Sequence, residues 1–355
     1  MTCQSRIGRF GLKWTITLLF GIAGSVSSTP IPVIDLATSV RNSEIVAIGR
    51  LTSIQSAPAA GEISDPNNNP GWTAHFVPQN FLKGVAASLP SDIVIHYGSV
   101  YATPNPLITG STRIVFLIRT GNELTPTTPY SPMLPASDNL TGSDGLGLLD
   151  EVSASIASTL NSAAVSDVAK AEALSCCWND HAKPLPTEVR AQFLRFIQGG
   201  SAEPERIAQA IMICLQHGDL DPLPQAVAAL APGTHRSDMT TTFLLQGLSV
   251  VKDPNATESL ETVAKSPELS VKIAAVTALS GLPTTKVIPL LANWLDDPQQ
   301  KVRMLAAAGL GRLTNQRQWG PVGPSFQEQE STIISYWKQW LAAHPDIASG
   351  GQGQQ

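Results

Sequence analysis

Residues 176–181, Cys-Cys-Trp-Asn-Asp-His, gather side chains that bind soft metals or act as nucleophiles. Cys177 and His181 stand four apart, so a continuous helix would place them on one face with Asp180 adjacent. Thiolate, imidazole and carboxylate are all zinc ligands. The same residues also read as structure: cysteine is among the most buried residue types and fills small apolar gaps, and Asn179-Asp180 has the composition of a helix end. A Cys/His nucleophile further needs a third group to orient its base, and nothing in the sequence identifies one. The expectation is core plus turn, with no catalytic residue, resident metal or cofactor; Cys177, Asp180 and His181 are the set on which that can be tested.

Other candidates give way in the same manner. His75 and His96 fall in strand-like runs and are expected on the solvent face. Trp294, Trp337 and Trp340 could stack a ligand, but their helical spacing favours a buried cap. "SDNLTGSDG", residues 137–145, is rich in oxygen donors yet misses the spacing of a D-x-[DN]-x-[DN]-G calcium loop.

The elements that position these residues are clearest in the second half. "KVRMLAAAGLGRL", residues 301–313, carries Val302, Leu305, Ala306, Gly309, Leu310 and Leu313 on one helix face. Thirty-one residues earlier stand Val271, Ala274, Ala275, Ala278, Leu279 and Leu282, and another thirty-one earlier Thr240, Phe243, Leu244, Gly247, Leu248 and Val251. Ile207, Ala210, Ile211, Cys214 and Leu215 continue the series at a spacing of thirty-three. Partner positions keep the period: Leu260 with Leu291, Val263 with Trp294, Ala264 with Leu295, Pro267 with Pro298. Each unit is a helix, a turn, a second helix and a proline-containing turn, so the expected architecture is an α-solenoid. Glycine in a helix costs roughly 1 kcal/mol relative to alanine. Gly247, Ala278 and Gly309 are therefore read as the points where neighbouring helices approach most closely, with Arg312 on the outer face. Ile333, Ile334, Trp337, Trp340 and Leu341 follow at helical spacing as a terminal cap.

"SVKIAAVTALSGL" and "DPQQKVRMLAAAGLGRL" resemble the short variety of the HEAT family, strongly over 240–313 and more weakly over 203–235. That resemblance implies a curved binding surface. Some HEAT proteins are enzymes: deoxyhypusine hydroxylase holds two irons through His-Glu pairs, and phycobilin lyases handle a tetrapyrrole. Here the six histidines are followed by Phe, Tyr, Ala, Gly, Arg and Pro, so the di-iron pattern is missing.

Between residues 45 and 120 the character changes to short β-branched runs separated by Pro, Gly, Asn and Ser. "EIVAIGRLTSI", "WTAHFV", "DIVIHYG" and "TRIVFLIRT" read as strands, and Ile114 to Ile118, apolar on both faces, as a central one. The order "IVAIGRLTSI", "HFVPQNFLKG", "IVIHYG", "GSTRIVFLIR" is similar to the netrin-like barrels related to the OB-fold. Tissue inhibitors of metalloproteinases belong to that group and chelate zinc through an amino-terminal cysteine. This chain has no cysteine between Cys3 and Cys176, so the mechanism does not carry over.

Arg6, Arg9 and Lys13, an apolar run from Trp14 to Ala23 and small residues after it read as an export signal over 1–28; the run is about half of what a spanning helix needs. Cleavage would remove three cations and no acid, leaving 20 Lys+Arg against 28 Asp+Glu and a net charge of −8. With basic residues so thinly spread, nucleic acid is not an expected partner.

The expected chain is thus multidomain α and β: signal peptide 1–28, small antiparallel netrin-like or OB-like β-barrel 29–120, Pro/Ser/Gly-rich connection 121–148, helical HEAT-type solenoid 149–345, disordered tail 346–355. The expected function is that of an exported, periplasmic or extracellular non-catalytic scaffold binding a protein or peptide, without a membrane span after cleavage. The alternative is an enzyme or cofactor handler using the cleft between barrel and solenoid.

Overall fold

The computed structural model describes residues 36–56, 72–84, 90–97, 109–120, 123–127, 133–136, 148–176, 184–200 and 202–349. The segment read as a signal peptide and the Cys177–His181 cluster lie outside these residues.

A short helix, α1 (Leu36–Asn42), leads into β1 (Ile45–Ser56), β2 (Trp72–Lys83), β3 (Ile93–Tyr97), β4 (Thr112–Thr120), β5 (Glu123–Pro126) and β6 (Met133–Pro135). The strands pair antiparallel in the order β3-β2-β1-β4-β5, with β6 also on β4. All four runs read as strands from their β-branched residues are strands. Segment 121–148, expected to join or decorate the barrel, supplies β5 and β6.

The barrel expectation meets an open sheet. The edge strands β3 and β5 approach one another, but among the described residues no hydrogen-bonded ladder joins them. The sheet bends mainly along β1 and β2, whose pairing shifts register three times. One shift falls between Ile48 and Gly49, where β2 carries Pro78, which cannot donate to a ladder. A β-carbon on Gly49 would stand 2.1 Å from Val77 O and 2.7 Å from Pro78 Cα, so only glycine fits there.

The central strands are buried on both faces, as the unbroken apolar run in β4 predicts. Ile45, Ala47, Leu51, Val115 and Leu117 join Phe76, Ile93 and Ile95 inside the curl. Val46, Ile48, Ile114, Phe116 and Leu134 point the other way and share one core with the helices. Sheet and helices belong to one compact unit and share this core. Lys83 Nζ strengthens the junction by donating to the Val40 and Arg41 carbonyls at 3.0 and 3.3 Å, capping α1.

The helical region runs α2 (Leu148–Ser158), α3 (Asp167–Cys176), α4 (Thr187–Gly199), α5 (Pro204–Gln216), α6 (Leu223–Ala229), α7 (Asp238–Ser249), α8 (Thr257–Ala264), α9 (Leu269–Gly281), α10 (Ile288–Asn293), α11 (Gln300–Leu313), α12 (Pro324–Ala343) and α13 (Pro345–Ala348). Helices α5, α7, α9 and α11 pack side by side in one layer; α8 backs α9 and α10 backs α11 in a second. The last helix corrects the expected tail: residues 345–348 form a helical turn, and Ile347 and Ala348 pack on the core.

The thirty-one-residue period is also written in the turns. Asp253 accepts from Asn255 N at 2.8 Å and Thr284 from Lys286 N at 3.3 Å. Ser266 accepts from Glu268 N at 3.2 Å and Asp297 from Gln299 N at 2.9 Å. Each pair is one repeat apart, and each side chain satisfies an orphan amide where a helix begins.

Candidate functional site

Among the described residues no group of three or more His, Cys, Asp and Glu is placed to hold a metal. His75 on β2 pairs with Asp92, Nδ1 to Oδ2, at 2.7 Å, and its side chain is 31% exposed, a surface pair. The thiol of Cys214 is buried in α5, and desolvation, followed by the Asp219 carboxylate, pushes its pKa well up. Burial of this kind is that of a core-filling cysteine.

The tryptophans do form a cap. Trp337 is fully buried in α12 and donates its indole N–H to Trp319 O at 2.7 Å. Tyr336 stacks on Trp319 at 3.9 Å, Trp337 meets Trp340 edge-on at 5.7 Å, and Trp340 stacks on His344 at 4.2 Å. Trp294 and Trp340 are half-buried against the core. The rings of Trp319, Tyr336, Trp337, Trp340 and His344 pack on one another at this end of the stack.

Ion pairs lock successive units together. Arg190 of α4 bridges Asp219, Nε to Oδ2 at 2.7 Å, and also reaches Asp221 in the α5–α6 turn. Arg236 pairs with Glu268, Lys272 with Asp297, and Lys338 with Asp296. Arg303, one repeat after Lys272, pairs with Glu330 of α12 at 2.6 Å and donates to Asp297 O at 2.7 Å. The hydrogen bond from Gln300, helped by Arg303, holds the Glu330 carboxyl below the ordinary carboxylate range. The pairs range from the exposed Lys338–Asp296 to the largely buried Lys272–Asp297, and together they tie the helices of successive repeats to one another. They also account for the groove of about 700 Å³ between the α10–α11 turn and α12. Of its four carboxylates, Asp296, Asp297 and Glu330 are each tied to a cation of the chain itself, and Glu328 also lines it.

Arg312 differs from its expected place on the outer face. It is partly buried and reaches back across the layer, donating from Nε to Ser280 O at 3.0 Å and from Nη2 to Leu282 O at 2.8 Å. Those are carbonyls left open at the end of α9, so Arg312 caps the preceding repeat.

Among the described residues, one face of the first-helix layer is exposed in part. Its positions recur each repeat: Thr242, Ile273 and Met304, then Gln246, Thr277 and Ala308. On α7, Asp238, Met239, Thr242 and Gln246 are exposed, Met239 at 51%, and Val250 just after the helix is 41% exposed. On α9, Leu269 is 43% exposed and Ile273 and Thr277 are half-buried. At both ends of the layer the same face is closed. On α5, Gln209 and Ile213 are buried. On α11 the chain after residue 313 folds back: a β-carbon on Gly320 would lie 2.9 Å from Ala308 Cα, and Gly323 N sits 3.2 Å from the Met304 sulfur. Sequence reasoning found the repeat but not this face, because its residues are individually unremarkable polar and apolar surface types.

Residues 257–319, from α8 through the loop after α11, match a family model described as HEAT repeats. Comparison with curated proteins returned no match.

Proposed function

We propose that the chain is an exported, non-catalytic scaffold whose repeat stack holds a protein or peptide partner. HEAT repeats are interaction scaffolds, and the observation that carries the reading is the stack itself. Four first helices are locked in register by inter-repeat ion pairs and closed at both ends, and they keep one face open on α7 and α9. A rigid surface lowers the ordering cost of binding. The curled sheet fits a netrin-like or OB-type barrel used as a packing module, since its outer face is committed to the helix core. Export rests on the charge and apolar pattern of residues 1–28. Among the described residues no helix is long and apolar enough to cross a membrane, and the sparse basic residues leave nucleic acid outside the proposal.

Affinity capture from the native exported fraction tests this. The expected result is a stoichiometric protein partner, retained by Cys177→Ser and His181→Ala and lost when the stack is broken by Gly309→Leu. Substrate turnover abolished by Cys177→Ser or His181→Ala would replace the scaffold reading with an enzymatic one. Amino-terminal sequencing that returned Met1 would remove signal cleavage.

A further inference from the structure

We propose that Arg206 and Gln209 on α5 form a binding site for a main-chain peptide group of the partner, with Arg206 Nε–H donating to its carbonyl and Gln209 Oε1 accepting from its N–H. The inference rests on the scaffold reading and adds the chemistry by which the stack takes hold of its partner.

The site stands on polar atoms that the fold leaves unmatched. Arg206 and Gln209 are three apart in α5, so their side chains are neighbours on one helix face. Gln209 is only 4% exposed, and its Oε1 is buried with no hydrogen-bond partner; Arg206 Nε, one turn earlier, is buried in the same condition. Gln216 Oε1, two turns after Gln209 on that face, is a third such atom. Buried polar groups are nearly always paired, and one left unpaired carries the full cost of its lost hydration. The other partly buried arginines of the helical region show the contrast. Arg190 binds Asp219, Arg236 binds Glu268, Arg303 binds Glu330 and Arg312 caps α9, whereas Arg206 enters no ion pair among the described residues.

Charge selects the ligand. Glu203 and Glu205 flank Arg206 in the chain, Glu205 being held by Ser237 Oγ at 2.7 Å, and Asp238 takes the position equivalent to Glu205 on α7. One cation among three carboxylates does not attract a further anion. What is unmet is one N–H donor beside one acceptor, and an extended residue offers the complementary pair, its own C=O and N–H, along one edge. Recognition of the main chain gives affinity without demanding particular side chains of the partner.

The approach is from α7. That helix packs beside α5 and carries Met239 and Thr242 thirty-three residues after Arg206 and Gln209, both of them exposed. The unmatched atoms therefore lie along the margin between the covered face of α5 and the exposed face of α7.

The test follows the isotope-labelled side-chain nitrogens of arginine and glutamine by NMR in the full mature chain, with two probes. A capped alanine–glycine hexapeptide offers main chain without functional side chains, and sodium acetate offers a carboxylate. The hexapeptide is expected to shift the Arg206 Nε–H and Gln209 amide resonances, and acetate to leave them in place. Gln209→Leu and Arg206→Met should each weaken the hexapeptide roughly tenfold, while Arg195→Met, exposed on α4, changes nothing. Because the buried amide is unmatched, Gln209→Leu should melt at or above the temperature of the wild type. A Gln209→Leu chain melting well below it would mean that the amide has a partner inside the fold, and shifts driven by acetate alone would make this an anion site; either result overturns the proposal, as do resonances that neither probe moves. Partner capture that Gln209→Leu leaves undiminished would overturn this site while the scaffold reading stands, whereas a wild type that captures no partner would sink both.

Discussion

Gly309 of α11 lies directly against Ser280 of α9. A β-carbon at position 309 would stand 3.0 Å from Ser280 Cβ, 3.1 Å from Ser280 Cα and 2.8 Å from Leu291 Cδ1, closer than side chains pack. Ser280 completes the contact by donating its hydroxyl to Leu305 O at 2.9 Å. Two repeats earlier Gly247 meets Met212 in the same way, its β-carbon 2.9 Å from Met212 Cα. The glycines that weaken these helices locally are the positions at which adjacent repeats touch.

Gly309→Leu is therefore expected to lower stability. On an isolated helix leucine gains most of about 1 kcal/mol over glycine, whereas overpacking a closed contact costs about 1–3 kcal/mol or more. Ala278→Leu, one repeat earlier and buried, should act in the same direction. Thermal melts decide the matter: a neutral or stabilised Gly309→Leu would contradict the packing.

Arg312→Leu is a more demanding case, since from the sequence alone it is a neutral surface change. Because Arg312 donates to Ser280 O and Leu282 O, its loss leaves two carbonyls at the end of α9 without their donor. The expected cost is about 1–2 kcal/mol, with faster amide exchange at the α9–α10 turn than at α5. A change within about 0.5 kcal/mol would mean that water replaces the guanidinium there at no loss.

Cys214 should resist alkylation in the folded chain at mildly alkaline pH. Burial and the nearby Asp219 carboxylate raise its pKa, so the thiolate that reacts is scarce and inaccessible. Peptide mapping after brief iodoacetamide treatment should show the Cys214 peptide modified only in denaturant; rapid native modification would point to local opening of α5.

Glu330 ties α12 to the stack in a pH-dependent way. Its folded pKa is lowered, first by the Gln300 hydrogen bond and then by Arg303. A depressed carboxylate contributes stability that is present above its unfolded pKa and lost as pH falls through the folded value. Glu330→Gln should thus lower the melting temperature near neutrality and narrow the gap to wild type in acid. A gap that widened on acidification would reverse the assignment.

Much of the helical half was legible because its signal is repetition. The spacing of Val271/Val302, Ala278/Gly309 and Leu260/Leu291 needs no tertiary information, and all of these are buried as the period requires. The four longer strands were legible for a similar reason, their β-branched runs being interrupted by turn residues. β5 and β6 escaped because four- and three-residue strands that contain or end in proline carry too little pattern. Arg312 was misplaced because its helical position says which way the side chain starts but not what so long a side chain can reach.

By itself the sequence determined the repeat, the small residues at the helix contacts and the apolar identity of β4, since each follows from periodicity and local sterics. Tertiary structure alone decided that the sheet stays open and gives its outer face to the helix core. It also decided that Arg312 caps the preceding repeat, and that the same helix face is covered on α5 and α11, exposed on α7 and partly exposed on α9. Those outcomes depend on which distant segments fold back over a surface. A sequence records the surface residue types but not their coverage, because coverage is settled by long-range packing.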